Sequence, residues 1–169
     1  MIIVSKANEN HVQGIKRVCS EGYRATYHQL LSENYINGVI KEFYNEKRIL
    51  QEVTQSDTHW GGYFVALDHK EVVGAIGGGM VSESAGEVFV LYLDPSRRKE
   101  GIGTFLLNAL TRQQKEEFSA TEQWVSVAKD NHLGIPFYEA RGFRFQYEKP
   151  GFAQIEGERY SSLRYFRYI

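Results

Sequence analysis

Apolar residues alternate with polar ones in three different rhythms along this chain of 169 residues. Ile2 to Ser5 reads as a short strand. Asn8 can then cap a helix whose apolar positions Val12, Ile15, Val18, Cys19 and Tyr23 recur at a helical period. Leu30-Leu31 ends that region, and Ser32 offers a second cap. A helical stripe through Ile36, Val39, Ile40 and Phe43 follows, and the pattern predicts its continuation through Ile49, Leu50 and Val53. After the polar stretch Gln55–Thr58 the rhythm changes. GYFVAL and VVGAIGGGMV read as strands joined by the turn Asp68–Glu71, and EVFVLYLD as a third strand after the turn SESAG. Three strands joined so closely predict an antiparallel meander.

The second half returns to a helical period. Ile102, Phe105, Leu106, Ala109 and Leu110 mark one amphipathic helix. QWVSVA reads as a strand and NHLGIPFYEARG as a shorter helix stopped by Gly142. Pro136 predicts that this helix starts near Ile135 or kinks. FRFQYE and SSLRYFRYI are the last strands. A strand-helix-strand unit in the middle requires a parallel pair. The fold class is therefore α/β: a mixed, mostly antiparallel twisted sheet with a central parallel strand pair and flanking helices. One domain accounts for the length. Residues 1–58 form an N-terminal helical part, 59–145 a central core and 146–169 the C-terminal strands.

Composition narrows the function classes. A formal net charge of −1 offers no global attraction for nucleic acid or an anionic membrane, so any anion site must be local. The lone Cys19 sits in a core pattern, which excludes a disulfide framework and argues against a covalent acyl-enzyme. The five histidines show no metal-ligand spacing, and no metal is expected. MIIVSKANEN lacks the features of a signal peptide, and VVGAIGGGMV is too short to span a membrane. These features point to a cytoplasmic protein.

The densest candidate chemistry is DPSRRKEGIGTFLLNAL, from Asp94. Arg97, Arg98 and Lys99 precede two glycines that open a helix. The first amides of a helix lack internal partners and carry partial positive charge, which suits a pyrophosphate. Walker A is absent, and the dinucleotide fingerprint fails because Leu106 stands where a third glycine is needed. On spacing alone, a charged loop running into a helix remains an equal reading.

Neighbouring motifs decide between them. Arg98-Lys99-Glu100-Gly101-Ile102-Gly103 resembles the R/Q-x-x-G-x-G/A motif of the GNAT (general N-acetyltransferase) superfamily. The strand EVFVLYLDP upstream, and Asn131 with Phe137-Tyr138-Glu139-Ala-Arg-Gly142-Phe143 downstream, match the same pattern in order and spacing. GYRATYHQLLSENYI is similar, more loosely, to the paired first helices of bacterial small-molecule members. The resemblance implies an acetyl-CoA site in which the loop Arg98, Lys99, Glu100, Gly101, Ile102, Gly103 and Thr104 holds the pyrophosphate. It also implies that Leu91, Tyr92 and Leu93, on a bulged strand splayed from its parallel neighbour, pair with the pantetheine arm, with Asn131 touching the cofactor.

For the chemistry, the resemblance nominates Tyr138 as general acid toward the departing thiolate and Glu87, eleven positions before Arg98, as general base. Tyr92 or a water chain competes with Glu87 for that role. Tyr23, Tyr27 and His28 are the substrate-side candidates, with Arg24 on the same face, and Glu21 and Glu33 as possible attractors of a cationic amine. The expected function is N-acetyl transfer from acetyl-CoA to a primary amine by direct attack in a ternary complex, with a small-molecule acceptor favoured. The alternatives are a protein or peptide N-acetyltransferase, a non-catalytic CoA-binding or sensing domain, or a plain interaction domain. A monomer or homodimer is expected, the tail RYFRYI offering a strand with which a second subunit can pair.

Overall fold

The computed structural model describes residues 1–150 and 160–169. Seven strands form one sheet: β1 (Ile2–Lys6), β2 (Tyr63–Asp68), β3 (Glu71–Met80), β4 (Ala85–Leu93), β5 (Glu122–Ala128), β6 (Arg144–Pro150) and β7 (Ser161–Tyr168). Their order is β1-β2-β3-β4-β5-β7-β6, and only β4 and β5 run parallel. The predicted meander is β2-β3-β4, and α4 (Ile102–Arg112) is the crossover that the parallel pair requires.

β3 is apolar throughout because it feeds two cores. Val72 and Ala75 face a cluster with Ile15, Val18 and Cys19 of α1 (Val12–Tyr27), while Val73 and Ile76 face Leu106 and Leu110 of α4 on the opposite side. Asn8 caps the entry to α1 as predicted, through a 3₁₀ turn. Its Oδ1 accepts from the Asn10 amide at 2.9 Å, and its own amide donates to Nδ1 of His11 at 3.1 Å.

The long second helix is in fact two. α2 (Glu33–Phe43) stops and α3 (Glu46–Thr54) begins three residues on. Asn45 makes the break. Its side-chain amide donates to the carbonyl of Lys41 at 2.9 Å, closing α2, while its Oδ1 accepts from the Arg48 amide at 2.8 Å, capping α3. The apolar stripe continues through Ile49 but changes direction, leaving Leu50 on the surface.

α5 (Gly134–Glu139) starts at Gly134 because Oδ1 of Asn131 accepts from the amides of Leu133 and Gly134 at 3.1 and 2.8 Å. Pro136 therefore falls within the first turn, where the missing N–H has no helical partner to lose. β7 lies between β5 and β6, with both of its edges hydrogen-bonded. The backbone of RYFRYI is therefore paired within the chain on both sides, so any contact with a second subunit there would run through side chains.

The feature that positions the site lies between β4 and β5. They pair only from Ala85–Val88 against Glu122–Val125, then separate. On the other side of β4 the ladder with β3 steps from Gly78↔Val88 to Gly77↔Val90, so Phe89 is an extra residue and β4 kinks there. Two contacts hold the kink. Gln114 Nε2 donates to the Glu87 carbonyl at 3.0 Å, and Gly78 leaves that same carbonyl the space a side chain would fill.

Candidate functional site

The separation of β4 from β5 opens a cleft. Its walls are Val88–Leu93 on one strand and Val125–Val127 on the other, with Gly22, Thr26 and Tyr27 of α1, Gly103 of α4, and Phe137 and Tyr138 of α5 around it. The β4 edge facing the cleft has no strand partner from Phe89 onward among the described residues, so Leu91, Tyr92 and Leu93 present free backbone there. A chain with amide groups of its own can pair with such an edge.

The glycine loop stands at one end of this cleft. Lys99 and Gly101 take left-handed backbone angles, with φ of 65° and 80°, and turn the chain into α4. No side chain caps α4, so its first amides, on Ile102, Gly103 and Thr104, are open to an anion. The Ile102 side chain lies in the core, leaving only its backbone for a ligand. The Thr104 hydroxyl is hydrogen-bonded by Arg141, whose guanidinium stacks 3.9 Å from the Phe137 ring centre.

The three basic residues divide. Arg98 lines the cleft and Lys99 is exposed beside it. Arg97 is spent elsewhere: it donates to Glu100 at 2.7 and 2.9 Å and pairs with Asp68 at 2.9 Å. The Glu100 carboxylate is turned to Arg97, so that residue too faces the loop through its backbone alone.

Tyr138 is 7% exposed, set edge-on against Phe137 and Phe143, and lines the cleft. Its hydroxyl has no hydrogen-bond partner among the described residues, and burial raises its pKa, so it keeps its proton. Asn131 is buried in the same wall. Besides starting α5, it donates from Nδ2 to the Tyr27 hydroxyl at 3.2 Å.

A second cavity, of about 520 Å³, lies on the other side of the kink. Aromatic rings from many elements line it: Tyr23 and Tyr27 from α1, Tyr35 from α2, then Tyr44, Trp60 and Tyr63. It shares Tyr27, Val88, Phe89, Val90, Tyr92 and Ser126 with the cleft, so the two spaces meet where β4 kinks.

Glu87 lines the aromatic cavity. Its Oε1 accepts from Arg164 at 2.7 Å, and Arg164 also donates to Ser126 and lies over the Trp124 ring. Its Oε2 has no protein partner among the described residues. His28 is not brought to the site. It is exposed, with Nδ1 3.1 Å from the Ala25 carbonyl, and lines neither space. Arg24 is exposed and donates to Asn37, and Glu21 is exposed beside Arg17.

Sequence reasoning missed Tyr44, Tyr63, Trp60, Glu52 and Arg164, which line the aromatic cavity or hold its walls. Trp60 had a readable signal in Gly77, Gly78 and Gly79. A side chain at Gly77 would collide with the Trp60 ring, and one at Gly79 with the His59 carbonyl. Among the described residues no cluster of His, Cys, Asp or Glu can hold a metal, and no helix is long and apolar enough to cross a membrane.

A mixed sheet split at its one parallel pair, with an uncapped glycine-led helix aimed at the split, defines an acetyltransferase. Residues 25–143 match the Acetyltransferase (GNAT) family, and the chain belongs to it. It is an N-acetyltransferase with a coenzyme A-based acyl donor. Among its relatives is spermidine N(1)-acetyltransferase of Thermoplasma acidophilum, 27% identical over 146 residues, which are 86% of this chain and 89% of that one. The PaiA N-acetyltransferase of the same organism, solved with coenzyme A, superposes with a TM-score of 0.82 at 22% identity, covering 100% of this chain and 99% of that one. An N-acetyltransferase of Staphylococcus aureus superposes at 0.70 and 16% identity, covering 99% and 98%.

Proposed function

We propose that this protein transfers an acetyl group from acetyl-CoA to the primary amine of a small molecule by direct attack in a ternary complex. The observation that carries the reading is the meeting of two separate spaces at the β4 kink. In this reading the cleft with the open α4 amides takes the phosphate-bearing arm and the aromatic cavity takes the organic acceptor. The relative named for spermidine acetylation favours a small acceptor.

In this reading the amides of Ile102, Gly103 and Thr104, with Arg98 and Lys99 and the backbone of Glu100 and Gly101, bind the pyrophosphate of the donor. The free edge Leu91–Leu93 aligns the pantetheine arm, and the Leu93 amide is the candidate for steadying the thioester oxygen. Tyr23 and Tyr27 line the acceptor's path to the kink. Glu87 takes a proton from the incoming ammonium through Oε2, directly or by way of a water. Arg164 fixes the other oxygen, so the carboxylate holds one orientation. The amine nitrogen then bonds to the acetyl carbon and sheds its surplus proton to water as the carbon–sulfur bond breaks, Tyr138 delivers its proton to the departing sulfur, and Glu87 returns the proton it took to solvent. Tyr138 recovers a proton from solvent, and the net products are an amide and CoA with a free thiol.

Thiol release from acetyl-CoA, followed with a panel of small amines and with peptides bearing free N-termini or lysines, tests this reading. Turnover with small amines is expected. Turnover with peptides alone would overturn the acceptor assignment, and CoA binding without turnover of any acceptor would leave a sensing domain.

A further inference from the structure

Resting on the small-amine reading above, we propose that the acceptor carries a second cationic nitrogen, and that Glu52 at the far side of the aromatic cavity receives it. The acceptor class is then an aliphatic di- or polyamine.

Placement is the first ground. Glu52 lines the aromatic cavity but not the donor cleft, whereas Tyr27, Val88, Phe89 and Val90 line both. A nitrogen that reacts at the kink therefore leaves the rest of its molecule running toward α3. Asn45, by breaking α2 from α3, is what turns Glu52 to that side.

Unspent charge is the second ground. Among the described residues the cavity holds two carboxylates with different surroundings. Glu87 has a tight partner in Arg164, and that pair is almost wholly buried. Among the described residues Glu52 has only a long contact of 3.7 Å to Arg48, which also lines the cavity and whose side chain stacks on Phe43 and is 41% exposed. The Glu52 Oε1 atom is buried and meets no hydrogen-bond donor among the described residues. A buried carboxylate oxygen without a donor costs stability, and such a cost is tolerated where a ligand removes it. Burial accordingly raises the Glu52 pKa, against the pull of Arg48.

The aromatic part of the lining fits the same ligand, while Arg48 and Lys149 share the cavity wall. Tyr44, Tyr63 and Trp60 surround the Glu52 end with aromatic rings, which attract cations and also pack against methylene chains. A cavity of about 520 Å³ is within the usual range for small-molecule sites, roughly 300–1,000 Å³.

The test compares linear α,ω-diamines with monoamines of the same length, by steady-state thiol release and by calorimetric titration of each amine into the CoA-saturated protein. The wild type is expected to favour diamines in kcat/KM. Glu52→Gln is expected to reduce that preference about tenfold or more, mainly through KM, the usual scale for losing a charged hydrogen bond. Glu21→Gln, on the exposed face of α1, should leave the preference intact. Equal handling of diamines and monoamines by the wild type, or an unchanged preference in Glu52→Gln, overturns the proposal while leaving the small-amine reading standing. Absence of both turnover and binding for every amine overturns the two together.

Discussion

The two spaces that meet at the β4 kink are made of different material. The cleft proposed for the donor offers backbone at several points: the open amides of α4, the free edge of β4, and glycines where a side chain would collide. The aromatic cavity gathers its lining from α1, α2, α3, β2, β4, β5, β6, β7 and the loop at Trp60. A donor shared by a whole family can be held by main-chain geometry, which tolerates changes in most side chains. An acceptor particular to one enzyme has to be recognised by side chains, and these sit on the N-terminal helices and loops rather than on the motif.

Chemistry at the junction should show the largest effect. In Tyr138→Phe the ring still fits between Phe137 and Phe143, and only the hydroxyl is lost. We expect kcat to fall by about 10²–10⁴, the usual span for a general acid, with CoA affinity within about twofold of wild type. Burial raises the Tyr138 pKa, so an alkaline fall in kcat belongs to another group and should keep its midpoint in a variant with measurable residual activity. An equal loss of kcat and CoA affinity would make Tyr138 a donor-binding or structural residue instead.

A smaller effect is expected from the backbone of the donor cleft. Gly101 has φ of 80°, where a β-branched side chain is strained although the surrounding space is open. Gly101→Val should weaken CoA binding by about ten- to a hundredfold, corresponding to roughly 1–3 kcal/mol of backbone strain. Gly101→Ala should fall between it and wild type. Calorimetry with CoA reads both, and an unchanged Kd for the valine variant would remove the loop from the donor site.

The same contrast explains what could be read from the sequence. The meander, the parallel pair and the crossover helix followed from periodicity, and the motif from Arg98 to Gly103 pointed to the end of the cleft where Arg98 and Gly103 lie because its residues are contiguous. The short segment from Asn131 to Tyr138 likewise placed both residues at the cleft wall. The aromatic cavity was not, since Tyr35, Tyr44, Tyr63 and Trp60 come together only through packing. Glu52 was hidden by one misread junction: the apolar stripe from Ile36 to Val53 is nearly continuous, and only the two-way hydrogen bonding of Asn45 breaks it. His28 failed for the converse reason. It follows Tyr27 directly, and one step around a helix carries it from the cavity to solvent.

The smallest predicted effect concerns the aromatic cavity without its ligand, and it runs opposite to intuition. The folded-state pKa of Glu52 is raised above its unfolded value by burial. Between those two values the folded protein holds more protons than the unfolded chain, so stability falls as pH rises through the window. That window opens near the ordinary glutamate pKa of about 4.3 and extends upward, and above it the ionised carboxylate carries its full desolvation cost. Glu52→Gln should therefore raise Tm at pH 7 by about 1–3 °C, given roughly 2–4 °C per kcal/mol in a domain of this size. At pH 4, where Glu52 is largely neutral in both states, the gain should disappear. Adding a diamine at pH 7 should reverse the order, because a ligand that binds only the folded state stabilises in proportion to its affinity. Scanning calorimetry at the two pH values, with and without the diamine, checks all three outcomes. A variant less stable than wild type at pH 7 without ligand would mean that Arg48 already satisfies Glu52, leaving that end of the cavity no unspent charge to offer an acceptor.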